Sequence, residues 1–321
     1  MNTLRNILTT LAVALTMAAS AHAQVDRPLR ILVGFPAGGS ADLAARLIGE
    51  RMATELKQPV VIENKPGAGG RLAADVLKNA PADGSTWMLA PIVVPVLAPL
   101  VFTKLPYNAS TDFAPVAPVA NYQFGLAVNA AHPAKTVQEL VKWAKANPMQ
   151  ANFGSPSPGS LPHFFGVMIS HGAQLDMVHI PFNGGAPMMN ALMGSQITTA
   201  IDTVVDQIEM HRAGKIRILA TSGASRSPLL SDVPTFSEAG LKGVEGTGWF
   251  GVYAPAKVAP ATIAQVNAAI NKALAIPELR ERFIRMGLEP TGGSPADLTA
   301  LMKRDTERWA PVVKASGFRP D

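Results

Sequence analysis

Cysteine is absent from the 321 residues. That removes disulfides, thiolate metal sites and cysteine nucleophiles together. Excess charge of one sign is small as well. The 28 basic and 23 acidic residues leave a net charge of +5, with no run of five like charges. A nucleic-acid arm and a disordered acidic tail are therefore not indicated. Long apolar runs are missing beyond the first twenty residues. Residues 93–101 are apolar but hold Pro95 and Pro99, and spanning a bilayer takes roughly 20 apolar residues. Nucleotide fingerprints fail too: Gly67-Ala68-Gly69 would need glycine at position 72, where Leu72 stands, and no Walker sequence occurs. The serine-rich stretch 154–159 is not G-x-S-x-G. The histidines beyond the leader, His132, His163, His171, His179 and His211, show no metal-ligand spacing. No metal or cofactor is implied. Neither a nucleophile with its base nor a carboxylate pair is recognisable, as catalysis would require.

What is present begins with a leader. Residues 1–6 carry Arg5, residues 7–19 are apolar or small, and Ala21-His22-Ala23 forms an A-x-A cleavage site before Gln24. This three-part pattern marks a signal peptide over 1–23 and export of the mature chain. The apolar run is too short for a membrane anchor. An exported protein without disulfides rests on its hydrophobic cores alone, and a mature chain from Gln24 onward is long enough to build them. The mild positive balance attracts an anionic ligand only weakly at physiological salt.

After residue 28, short apolar strands alternate with amphipathic helices. Residues 29–35 read as a buried strand, followed by a turn and a helix over 41–57 with Ser40 as N-cap and Asp42 in its first turn. The rhythm continues through strands at 60–62, 86–90, 116–120, 124–128, 152–153, 177–180, 197–201, 215–220 and 248–253. Thr136 caps one intervening helix, and Pro260, Pro277 and Pro295 open the last three. Such alternation implies α/β architecture with mostly parallel sheets and right-handed crossovers. The units are too many for one small sheet, so two lobes are expected. Apolar strand patterns flank glycines at 121–125 and 243–249, which places the crossings there. Lobe 1 then comprises 24–122 plus 247–321, and lobe 2 comprises 123–246.

Ligands of open α/β sheets bind beyond the carboxyl ends of the strands. Three strand-to-helix turns share a Gly/Ser/Asn-rich composition: residues 35–42, 154–160 and 182–186. Glycine lets backbone amides approach an anion, and a helix N-terminus favours negative charge. Candidate binding residues are Phe35, Pro36, Ala37, Gly38, Gly39, Ser40 and Asp42 in the first turn, and Ser155, Ser160 and the adjacent His163 at the second. Asn183, Gly185 and Ala186 come from the third. Asp202, just past the strand at 197–201, is either a ligand contact or the cap of the next helix. Asp206 reads as a solvent-facing residue of that helix. Each turn, taken alone, equally fits an ordinary capped connection.

Taken together the motifs resemble a known family over essentially the whole mature chain. They are Phe35-Pro36-Ala37-Gly38-Gly39-Ser40-Ala41-Asp42, Glu63-Asn64-Lys65-Pro66-Gly67-Ala68-Gly69-Gly70, Ala80-Pro81-Ala82-Asp83-Gly84 and Gly159-Ser160. Then come His179-Ile180-Pro181-Phe182-Asn183-Gly184-Gly185-Ala186-Pro187, Asp232-Val233-Pro234-Thr235 with Glu238-Ala239-Gly240, and Trp249-Phe250-Gly251. Their order and spacing resemble the Bug-type (TctC-like) periplasmic solute receptors of tripartite tricarboxylate transporters. The resemblance implies a two-lobe Venus-flytrap fold of the periplasmic-binding-protein type. Lobe 1 is then built from both chain ends, and a carboxylate is held between the 35–42 turn and turns of lobe 2. It further implies a non-enzymatic, monomeric receptor whose partners are a small carboxylate and membrane permease subunits. Phe182, the apolar stretch 91–96 and prolines 156 and 158 depart from the family's usual pattern and point to an apolar or aromatic ligand body, with an amino acid as a further class. Two other readings remain open at this level: an exported α/β hydrolase or transferase using Ser155, Ser157 or Ser160, and a sensor serving a signalling partner.

Overall fold

The computed structural model describes residues 28–319. The leader predicted over 1–23 lies outside them. Along the chain, β1 (Leu29–Val33) leads to α1 (Ser40–Leu56), β2 (Val60–Asn64), α2 (Arg71–Lys78) and β3 (Thr86–Pro91). A wide helical turn, Val93–Leu97, then runs into α3 (Ala98–Val101), and β4 (Phe113–Tyr122) follows. A second unit begins with β5 (Phe124–Asn129) and continues through α4 (Val137–Ala146), β6 (Asn152–Ser155), α5 (Leu161–Gly172), β7 (Val178–Pro181), α6 (Gly185–Met193), β8 (Thr199–Thr203), α7 (Val204–Arg212) and β9 (Ile216–Thr221). The chain finishes with β10 (Gly248–Pro255), α8 (Pro260–Ala275), α9 (Pro277–Arg285), β11 (Leu288–Pro290) and α10 (Pro295–Ser316).

The strands form two sheets, ordered β11-β4-β10-β3-β1-β2 and β7-β6-β8-β5-β9. Only Gln123 separates β4 in the first from β5 in the second. The α/β two-unit architecture is as expected, but the sheets are mixed where mostly parallel ones were predicted. Pairings β2-β1, β1-β3, β7-β6 and β6-β8 are parallel. Those made by β5 and β10 are antiparallel. These two are the first strands after the chain passes from one sheet to the other. They therefore start at the side where the βα strands end, and run against them.

Local sequence explains the helix starts. Thr136 Oγ1 accepts the Glu139 amide at 3.1 Å, and Ser294 with Asp297 completes a capping box. Pro260, Pro277 and Pro295 open their helices as predicted. Ser40 is a correction. Gly39 is the N-cap of α1 and Ser40 its first helical residue, because the Ser40 hydroxyl is engaged elsewhere.

One large core runs under both sheets, with Trp87, Trp249, Trp309 and Tyr253 fully buried. A smaller one, with Met188, Leu192 and Ile218, underlies α6 and α7. Helix α10 ties the units together. Its Asp305 accepts the Trp249 indole N–H at 2.7 Å, and its Trp309 ring lies 5.7 Å from Phe165 of α5. Behind β1, a Cβ on Gly34 would lie 2.5 Å from the Gly70 Cα. Only glycine permits that approach, which sets the path of the 34–39 turn.

Candidate ligand-binding cleft

The carboxyl ends of β1, β3, β6 and β8 converge on one cavity of about 90 Å³. A water needs roughly 10–15 Å³ by this measure, so the space suits a small organic molecule. The first unit contributes Phe35, Pro36, Ala37, Gly39, Ser40, Ala41 and the Pro91–Ile92–Val93 wall. The second contributes Pro156, Ser157, Ser160, Leu161, Pro162, Gly185, Ala186, Asp202, Thr203 and Asp206. Tyr122, Phe124 and Phe250 form the aromatic wall beside the β4–β5 crossing, with Tyr122 and Phe250 centroids 4.5 Å apart. First-turn residues of α1, α5, α6 and α7 all line it. Each helix start presents the positive end of a dipole, although the Ser40 amide of α1 is taken by Asp206 and the Val204 and Asp206 amides of α7 by Gln123 and Thr203.

The structure thus brings together Phe35, Pro36, Ala37, Gly39, Ser40, Ser160, Gly185, Ala186 and Asp202 from the residues expected in the site. The other five, Gly38, Asp42, Ser155, His163 and Asn183, do not line it. Asp42 accepts from the Gly38 amide (2.9 Å), Arg46 (2.8 Å) and Asn64 (3.0 Å). It holds the turn from outside, and these bonds keep its carboxyl below the usual range against the opposing effect of burial. Gly38 belongs to that same bracing, and Asn183 does not line the cavity. Ser155 is fully buried and bonded to His179 Nε2 at 2.8 Å. His163 Nδ1 accepts the Gly159 amide at 3.1 Å. The two imidazoles stack 3.9 Å apart, and burial drives His163 down to about 3 and His179 to about 4. Phe182 packs on the smaller core and Pro158 also lies off the cavity, so of the expected departures only Pro156 and the 91–93 wall reach it.

Asp206 overturns its expected solvent-facing place. Its Oδ1 accepts the Ser40 amide at 3.0 Å, and its Oδ2 accepts the hydroxyls of Ser40 (3.2 Å) and Thr203 (2.9 Å). Asp202 lies within β8 and its Oδ1 accepts the Thr203 amide at 2.8 Å. Thr203, not Asp202, caps α7. Burial pushes both carboxyls upward, Asp202 strongly and with a further push from the Asp206 charge. The signal that could have found Asp206 is Thr203-x-x-Asp206, a cap pattern that fixes the residue in the first turn and hence at the cleft end.

Residues 44–318 match the family described as tripartite tricarboxylate transporter family receptor, TctC. The chain belongs to that family. A UPF0065 protein from the tcbD-tcbE intergenic region of Pseudomonas sp. (strain P51) is 32% identical over 314 residues, covering 96% of this chain and 93% of its own. Among solved structures, an R. palustris protein determined with adipate is 31% identical with a TM-score of 0.89, over 92% of this chain and 99% of its own. MatC from Rhodopseudomonas palustris, with bound malate, is 31% identical with a TM-score of 0.85, over 90% and 99%. The two-unit α/β fold is therefore that of periplasmic binding proteins, and this TctC-family receptor carries its cavity where the two units meet.

Proposed function

We propose that this receptor captures a small carboxylate in the periplasm by closing two lobes on it, and presents it to the membrane subunits of a tripartite transporter. The observation that carries the reading is the convergence of four helix starts, two sheets and one aromatic wall on a single small cavity. Relatives solved with adipate and with malate support the carboxylate class. Lobe 1 is taken as 24–122 plus 247–321 and lobe 2 as 123–246, with a cleaved leader over 1–23 and a monomeric mature chain. The Phe35–Ser40 turn, Ser160, Gly185, Ala186 and Asp202 are the contacts assigned to the ligand. The Ile92, Val93 and Phe250 walls suit an apolar or aromatic ligand body.

A hydrolase using Ser155 is the weaker reading. Its hydroxyl has a histidine partner in His179, but Ser155 is 0% exposed and lies off the cavity, so substrate has no route to it. The test is a thermal-shift screen of mono- and dicarboxylates followed by small-angle scattering. A stabilising carboxylate that shrinks the radius of gyration is expected. Stabilisation without shrinkage would argue for a rigid pocket, and no stabilisation by any carboxylate would sink the reading.

A further inference from the structure

We propose that Asp202 meets the bound solute as a neutral carboxylic acid, its Oδ2–H donating a hydrogen bond to the solute carboxylate, so that capture is linked to a proton held on the receptor. This deepens the carboxylate-receptor reading and rests on it. Asp202 is 1% exposed and lines the cavity. Its Oδ1 accepts the Thr203 amide at 2.8 Å, while its Oδ2 has no hydrogen-bond partner. That oxygen faces the start of α6, where a Cβ on Gly185 would lie 2.5 Å from it, and Gly185 lines the same cavity.

A buried carboxylate without a partner is costly, and such a group takes up a proton instead. Among the described residues no Lys, Arg or His lines the cavity, and Asp206 of α7 and Tyr122 of β4 are the other titratable groups in its wall. The strands flanking β8, β5 and β6, carry no titratable side chain, and neither does α6. On the remaining elements, Asp42 of α1 is turned to Arg46, and His163 of α5 to the Gly159 amide and His179. The hydrogen bonds decide which acid of the pair holds a proton. Asp206 accepts from the Ser40 amide and from the Ser40 and Thr203 hydroxyls, so donors on both of its oxygens favour the anion. Asp202 has a donor on Oδ1 alone. The pair titrates as a unit, and its first proton rests on Asp202 Oδ2. Burial and the Asp206 charge act in the same direction on Asp202. A solute carboxylate, which only accepts hydrogen bonds, then finds a donor there and adds its own charge to those holding the proton in place.

The test uses the whole mature protein with adipate, malate and benzoate as probes. Infrared spectra at pH 5 should show a protonated-carboxyl band that Asp202→Asn removes. Calorimetric titration at rising pH should track that band: as it fades, wild-type affinity should fall, by at most about tenfold per pH unit for one linked proton. Asp202→Ala, without a donor, should weaken binding at pH 5 by about tenfold or more, the scale of one charge-assisted hydrogen bond. In Asp202→Asn the amide oxygen can take the Thr203 N–H while the NH2 keeps a donor at the Oδ2 position. This variant should recover most of what Asp202→Ala loses and should flatten the pH profile. Should it fail to fold, Asp202→Ala replaces it in the infrared comparison. Absence of the band at pH 5, equal losses in the two variants, or wild-type affinity that holds steady while the band fades would each overturn the proton and leave the carboxylate reading standing. Absence of binding by all three acids would overturn it as well, and the wider carboxylate screen then decides the receptor reading separately.

Discussion

Asp206 reaches across the cleft to Ser40 and holds it by two hydrogen bonds, 3.0 Å from the amide and 3.2 Å from the hydroxyl. A carboxylate from one unit thus sits at the helix start of the other. Asp206→Ala removes this bridge. The unliganded protein should shift toward an open form by about 1–3 kcal/mol, the worth of hydrogen bonds to a charged group after desolvation. Small-angle scattering without ligand reads it directly, as a larger radius of gyration than wild type. An unchanged radius would show that the bridge does not hold the units together.

Gly34→Ala tests the turn from behind. Its added methyl meets the Gly70 backbone at 2.5 Å, and backbone cannot swing aside as a side chain can. Overpacking of this kind costs about 1–3 kcal/mol. Chemical denaturation should show that loss, and a stabilising carboxylate should bind more weakly because residues 35–40 have moved. Full stability with full affinity would mean that the contact has slack.

The stacked pair His163 and His179 predicts acid sensitivity. Burial holds His163 near about 3 and His179 near about 4, below the roughly 6.5 of an unfolded chain. The unfolded chain then binds more protons, so the pair's contribution is complete above pH ~6.5 and is lost as pH falls toward the folded values. By pH ~5 the loss should reach about 1–2 kcal/mol per histidine. The acids Asp202 and Asp206 act with the opposite sign, since their raised values make the folded state bind more protons. Urea midpoints at pH 7, 6 and 5 should therefore be measured in a background carrying both Asp202→Asn and Asp206→Asn. A midpoint that does not fall in that series rejects the assignment, and adding His163→Gln and His179→Gln should flatten it.

Asp305→Ala probes the tie made by α10. It leaves the buried Trp249 indole N–H without its 2.7 Å acceptor. An unsatisfied buried donor costs about 1–3 kcal/mol. Asp305→Asn, which keeps an acceptor oxygen, should recover most of it. Equal loss in both variants would place the effect in the charge and not in the hydrogen bond.

Much of this protein was legible in order along the chain. Alternating apolar runs and capped helices specified the βα units, because period and cap chemistry act within a few residues of one another. The Phe35–Ser40, Gly159–Ser160 and Gly185–Ala186 turns could be nominated because loops at strand carboxyl ends share one composition. Proline at Pro260, Pro277 and Pro295 marked helix starts for the same local reason. The strand directions of β5 and β10 were not legible, since they depend on where the chain passes between sheets. Nor was the role of Asp206. Its partner Ser40 lies 166 positions away, and a helical residue's face is decided by what packs beside the helix. Sorting wall from brace among the nominated residues was likewise a tertiary matter. Ser160 reaches the cavity while Asp42 and His163 hold its turns from behind, because a side chain's direction is set by the packing of both sheets and not by its neighbours in sequence.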